Sequence, residues 1–204
     1  MFISKTVSHT EFMNHDSKIF YRLLVLVIIV SGTISLSAQE KIKWMSWEEA
    51  VKKNETEQRK IFVDIYTDWC GWCKKMDKAT FQNASIAKYM NENYYAVKFN
   101  AEQKETIVFR GKEYNFVKNG RKGYNQLAAE LTQGRLSYPT IVFLDENINI
   151  IQPIPGFRAK DEFEMMMTFF AEDFYKDTPW QSYTRAYTPM SKKASSKYSR
   201  TVSN

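Results

Sequence analysis

The chain has 204 residues, 44% hydrophobic and 25% charged, a globular composition with room for one domain and an extension at each end. Seven glycines and five prolines exclude collagen-like and low-complexity architectures, and two cysteines cannot build a disulfide framework. The net charge of +6 is uneven: residues 39–177 hold 21 bases against 21 acids, so no basic groove for nucleic acid is expected on the body.

Lys18 and Arg22 flank an apolar run at 23–30, and the small residues Ser37 and Ala38 follow it. Positive flank, short apolar segment and small-residue exit read as a secretory signal over 1–38, cleaved after Ala38. The run is shorter than the roughly 20 residues of a spanning helix. The alternative is an uncleaved anchor that holds the domain outside the membrane. Both histidines, His9 and His15, precede the run, so a cleaved protein contains none.

Ser46-Trp47-Glu48-Glu49 has the form of a capping box and predicts a helix to about Gln58. The apolar run Ile61-Phe62-Val63-Asp64-Ile65-Tyr66 predicts a buried strand. Helices are expected over 70–81 and 85–91, then a strand over 94–99. A hairpin within 107–118 should turn at Gly111-Lys112, and a helix over 124–132 should stop at Gly134. Strands are expected over 140–144 and 148–154, the second at a sheet edge because of Pro153 and Pro155. The last helix, from 158 or 159 to 176, carries Phe163, Met166, Met167 and Phe170 toward the core. Residues 178–204 hold five bases, no acid and no apolar periodicity. They are expected to be a flexible basic tail, leaving 39–177 as the folded domain. The succession of elements is an α/β layer architecture.

The chemistry lies in Trp69-Cys70-Gly71-Trp72-Cys73, placed between a strand and a helix. Two thiols at this spacing can close a small ring at the helix start. The first meets the positive end of the helix dipole and unpaired backbone N–H groups, which lower its pKa from about 8.5 toward 7 or below. Cys70 is therefore the expected attacking thiolate, and Cys73, one turn in, the thiol that resolves the mixed disulfide. Two inert core cysteines are the bland alternative. Half of a zinc site is another, but it needs about four ligands, and beyond the pair only carboxylates remain. No metal is expected.

On these residues the stretch 42–176 resembles the thioredoxin superfamily. The strand 62–66 with Trp69-Cys70-Gly71-Trp72-Cys73 is similar to the thioredoxin active-site strand and helix. Tyr138-Pro139-Thr140 resembles its cis-proline loop, and Gly156 lies where the family has a glycine before its last helix. Trp72 departs from the proline of classical thioredoxins. With Lys74-Lys75-Met76 it is more similar to exported thioredoxin-related proteins and the periplasmic C-terminal domain of DsbD. A further departure is an insertion between Phe99 and Tyr124, a candidate partner site. The resemblance implies a thioredoxin-like fold, a central mixed sheet flanked by helices, with that insertion before the cis-proline loop.

The resemblance also gives roles to further residues. Asp64, six positions before Cys70, corresponds to a buried aspartate that accepts the proton of Cys73, and Lys98 to the lysine beside it. Pro139, if cis, would leave neighbouring backbone groups open to an extended substrate, with Tyr138, Trp69, Gly71 and Trp72 around it. The expected protein is an exported, periplasmic thiol–disulfide oxidoreductase acting as a reductase, monomeric and without metal or organic cofactor. Its partners would be protein disulfides and a membrane electron donor, not nucleic acid. The competing reading is a peptide-binding or chaperone-like module whose redox activity is incidental.

Overall fold

The computed structural model describes residues 40–192. The expected signal at 1–38 and the end of the expected tail, 193–204, lie outside the described residues. The chain opens with a two-residue strand β1 (Trp44–Met45), absent from the sequence reading, and helix α1 (Trp47–Thr56). The capping box forms as expected. Ser46 accepts the Glu49 N–H at 3.1 Å, and Glu49 accepts the Ser46 N–H at 2.9 Å.

Strand β2 (Lys60–Tyr66) leads through a short loop into α2 (Gly71–Met76). The expected single helix over 70–81 is instead α2 followed by a wider π-helical turn, Asp77–Phe81. Helix α3 (Ala84–Asn93) is capped by the Asn83 side chain and runs directly into β3 (Tyr94–Asn100).

The insertion forms two hairpins where one was expected. Strands β4 (Ile107–Phe109) and β5 (Lys112–Tyr114) turn at Arg110-Gly111, one residue earlier than expected. Both turn residues have positive φ, 51° and 73°, the twist that favours tight hairpins. Strands β6 (Phe116–Asn119) and β7 (Lys122–Asn125) form the second hairpin, which takes Tyr124 out of the helix assigned to it. That helix, α4, is Gln126–Leu131.

Strands β8 (Thr140–Leu144) and β9 (Ile150–Pro155) complete a five-stranded sheet in the order β1-β3-β2-β8-β9. The pairs among β1, β3 and β2 are parallel, while β8 pairs antiparallel with β2 and β9 antiparallel with β8. Pro153 and Pro155 sit on the edge strand, where the missing N–H costs no ladder bond. Side chains of β2 alternate between the two faces of the sheet. Ile61, Val63 and Ile65 pack with Trp47, Val97, Phe99 and Leu127, while Phe62 packs on the other face with Phe81, Met90, Phe143 and Phe163. This mixed sheet with helices on both faces is the thioredoxin arrangement.

The flexible-tail expectation is corrected for 178–192. The last long helix, α5 (Lys160–Ala171), stops early because Asp173 adopts φ 60°, and α6 (Phe174–Asp177) and α7 (Trp180–Ala186) follow. Tyr183 of α7 is buried against Phe169 and bonds Thr168 through its hydroxyl at 2.6 Å. The apolar material here is aromatic and borne by tyrosines, so a scan for aliphatic periodicity passes over it.

Candidate active site

Cys70 is the N-cap of α2. Its N–H donates to the Thr67 carbonyl at 3.1 Å, and its Sγ accepts the Cys73 N–H at 3.0 Å. The two cysteines are joined as a disulfide with Cα atoms 5.3 Å apart, and both are buried. The sulfur of Cys70 thus already takes the place that a capping oxygen takes elsewhere, receiving a backbone donor that would favour its thiolate. Gly71 is exposed, with open space where a Cβ would stand.

Two indoles flank the pair. Trp69 and Trp72 are 55% and 57% exposed, far more than indoles that serve as packing. Trp69 donates its Nε1–H to both oxygens of Glu102 at 3.1 Å and meets Tyr138 edge-on at 6.0 Å. The Lys122 ammonium lies 4.2 Å from the Trp69 ring centre, and that of Lys75 lies 4.5 Å from the Trp72 ring centre. Trp72 also contacts Phe157 at 5.6 Å, in the stretch that leaves β9. The Tyr138–Pro139 bond is cis, Pro139 is buried, and its carbonyl accepts the Gly156 N–H at 2.7 Å.

A charged cluster joins the site through Asp77, whose N–H donates to the Cys73 carbonyl. Asp64, 1% exposed, shares the face of Phe62 by strand alternation. Lys98 Nζ lies 2.5 Å from Asp64 Oδ2 and also pairs with Asp77. The ammonium is ringed by Trp44, Tyr66 and Phe81 at 5.0–5.4 Å from their centres. Asp64 Oδ1 has no hydrogen-bond partner among protein atoms. Burial pushes the Asp64 carboxyl up to about 6, with Lys98 opposing the rise and Asp77 adding to it. Burial pulls the Lys98 ammonium down, but the two carboxylates outweigh it and the net shift is upward. An open cleft of about 580 Å³, lined by Lys98, Asp77, Trp44 and Phe81 among others, leads to this cluster from the surface.

Each expected site residue has a definite place. Cys70, Cys73, Gly71, Trp69 and Trp72 form one end of α2, Tyr138 reaches Trp69, and Lys98 holds Asp64. Sequence reasoning missed Asp77, although it stands one turn after Cys73 and its N–H donates to the Cys73 carbonyl. It also missed Glu102 and Lys122, whose meeting with Trp69 depends on the fold of the insertion. Among the described residues, no group of three or more His, Cys, Asp or Glu side chains is placed to hold a metal ion. No helix among them is long and apolar enough to cross a membrane.

Comparison with known proteins gives these geometries a setting. The family model Thioredox_DsbH, described as a protein of unknown function, DUF255, matches residues 26–165. An uncharacterized protein of Archaeoglobus fulgidus is 31% identical over 93 residues, 45% of this chain and 73% of that protein. An uncharacterized protein of Caenorhabditis elegans is 32% identical over 71 residues, 34% of this chain and 10% of that one. The thiol:disulfide interchange protein DsbD of Colwellia psychrerythraea is 35% identical over 48 residues, 24% of this chain and 8% of that protein. The match thus spans about a tenth or less of the length of the nematode and Colwellia relatives. Among solved structures, a DsbH oxidoreductase is 17% identical with a TM-score of 0.48, over 69% of this chain and 90% of that one. A thioredoxin-fold protein from Helicobacter pylori is 16% identical with a TM-score of 0.49, over 73% and 89%.

Proposed function

We propose that this chain, which belongs to the Thioredox_DsbH family, is an exported thiol–disulfide oxidoreductase that reduces disulfides in other proteins. The observation that carries the reading is Cys70: an N-cap sulfur bonded to Cys73, accepting a backbone N–H, between two exposed indoles. In the reduced protein the Cys70 thiolate attacks one sulfur of a substrate disulfide and expels the other as a thiolate. Cys73, losing its proton, then attacks Cys70 Sγ, which restores the Cys70–Cys73 disulfide and releases the second substrate thiolate. Two electrons pass to the substrate, and the chemistry needs neither metal nor organic cofactor.

Asp64 is the proposed acceptor of the Cys73 proton, directly or through water. Its carboxyl near 6 is poised close to neutral pH, as a general base should be. Lys98 positions it, and Asp77 shares Lys98 with it. Pro139 cannot donate a backbone N–H, and with Tyr138 and the two indoles it would receive an extended substrate segment. The reductase direction rests on this buried acid and on Trp72 holding a place where an oxidant would be expected to carry a histidine. A membrane partner would then supply electrons to the oxidised form.

Insulin reduction by dithiothreitol tests the class. Acceleration that is lost in Cys70→Ser supports an oxidoreductase, and no acceleration would leave the peptide-binding reading. The potential of the Cys70/Cys73 couple tests direction: about −250 mV or below marks a reductase, and about −120 mV an oxidant.

A further inference from the structure

The β6–β7 hairpin closes tightly at one glycine and meets the site where Lys122 lies over the Trp69 ring. A Cβ on Gly123 would lie 2.2 Å from Phe116 Cζ and 2.6 Å from the Val117 carbonyl oxygen. Only a residue without a side chain lets the Phe116 ring lie back across the hairpin. There the ring forms part of the wall of an open cleft of about 570 Å³, and Trp69 forms another part. The indole that borders the cysteine pair therefore also borders this cleft.

Its charge is one-sided. Lys104, Lys118, Arg121 and Lys122 all line it, and none of them is in an ion pair among the described residues. Two acids line it as well, and each is engaged. Glu102 receives the Trp69 Nε1–H, and Asp68 receives the Asn100 amide at 3.2 Å. Four cations against two acids leave a local excess of two positive charges on a body that is neutral across 39–177. Small-molecule sites are mostly apolar and enclose their ligand. This cleft is open and lined by charged side chains interleaved with the Trp69 and Phe116 rings, which suits an extended chain.

We infer that this cleft docks an acidic, extended segment of the disulfide-bearing protein on which Cys70 acts. The inference rests on the oxidoreductase reading and adds a substrate class to it. Carboxylates would meet Lys104, Lys118 and Arg121, the last able to grip one in bidentate fashion. An apolar residue of the same segment would lie on Phe116 beside Trp69, so the chain would be handed on toward Cys70. Charges this exposed are screened, so the preference they give in binding and in encounter is moderate and falls as salt rises. Single-stranded nucleic acid suits the cleft less well. Successive bases need several free ring faces to stack on, and of the cleft's two aromatic rings Trp69 is already covered by Lys122 and met edge-on by Tyr138, which leaves Phe116 alone.

The test uses the full chain in two assays. Fluorescence anisotropy follows a labelled acidic peptide without cysteine, a neutral peptide of equal length, and a single-stranded oligonucleotide of equal charge. Single-turnover exchange then compares two peptides with the same internal disulfide, one with acidic and one with neutral flanks. We expect the acidic partner to be favoured by about tenfold in both assays, with the preference shrinking as salt rises. In the Lys118→Glu/Arg121→Glu double variant it should vanish or reverse. Equal binding of acidic and neutral peptides, or equal binding of the oligonucleotide, would overturn the inference. Acidic preference in binding with no exchange of either disulfide would instead defeat the oxidoreductase reading, and with it the assignment of the occupant as substrate.

Discussion

Asp64 and Lys98 are direct partners in the parallel pairing of β2 with β3, with Lys98 Nζ 2.5 Å from Asp64 Oδ2. The register alone brings them to one face, so the pair follows from strand alignment and not from a chance of rotamers. Lys98 is also shared with Asp77 of the helical turn after α2. One cation thus faces two acids, and the better buried of the two bears the larger desolvation penalty.

Asp64→Asn should keep the fold and slow the second half of the exchange. If Asp64 takes the Cys73 proton, its loss should lower the release of substrate from Cys70 by about 10²–10⁴-fold. Wild-type release should rise with pH through about 6 and level off, and the variant should lack that step. Rapid-mixing single-turnover kinetics read both. An unchanged rate and profile would reduce Asp64 to a structural residue.

The same substitution should alter how stability depends on pH. The folded-state carboxyl of Asp64, at about 6, lies above its ordinary value of 3.8. Between these values the folded protein holds more proton than the unfolded chain, so this group's contribution falls as pH rises. The wild type should lose up to about 3 kcal/mol relative to Asp64→Asn between pH 4 and pH 7. Denaturant titrations of both oxidised proteins across that range measure the difference. A gap that does not widen with pH would contradict the burial argument.

Lys98→Met removes the cation and leaves Asp64 buried without its partner. At pH 7 this should cost about 3–5 kcal/mol, the usual result of breaking a buried pair from one side. Acidification should restore part of the loss, because protonated Asp64 no longer needs the ammonium. Unfolding midpoints of variant and wild type that stay a constant distance apart from pH 7 to pH 5 would speak against the coupling.

Cys70 should be the first thiol modified in the reduced protein. Its sulfur receives the Cys73 N–H at the start of α2, where the backbone donor and the helix dipole favour the thiolate, the form that alkylates. Brief alkylation followed by peptide mass mapping identifies the labelled residue. Preferential labelling of Cys73 would reverse the assigned roles.

Tyr183→Ala should destabilise the domain by about 3 kcal/mol, as for a core aromatic, although position 183 lies beyond the expected domain end. The ring packs on Phe169, Phe174 and Trp180, and the hydroxyl bonds Thr168. Arg185→Ala, exposed on the same helix, should change stability by no more than about 0.5 kcal/mol. Thermal unfolding of the two variants distinguishes an integral α7 from an ornament on the surface.

What the sequence determined by itself is the local part. The Ser46–Glu49 capping box, the β-branched run of β2 and the helix opening at Cys70 depend on neighbours within a few positions, and each formed where the residues placed it. The acid in β2 was legible for the same reason, since a carboxylate between Phe62, Val63 and Ile65 has nowhere to go but inward. Its partners were less legible. Lys98 came from resemblance, and Asp77 was passed over although it stands one turn beyond Cys73. The rest was decided in three dimensions. Whether Glu102 and Lys122 meet Trp69 depends on how the loop after β3 and the β6–β7 hairpin fold, and within that hairpin Gly123 makes room for Phe116. Whether 178–192 is tail or core depends on Tyr183 finding Phe169. Contacts of this kind join residues far apart in the chain through side-chain shape, and no period or spacing along the sequence records them.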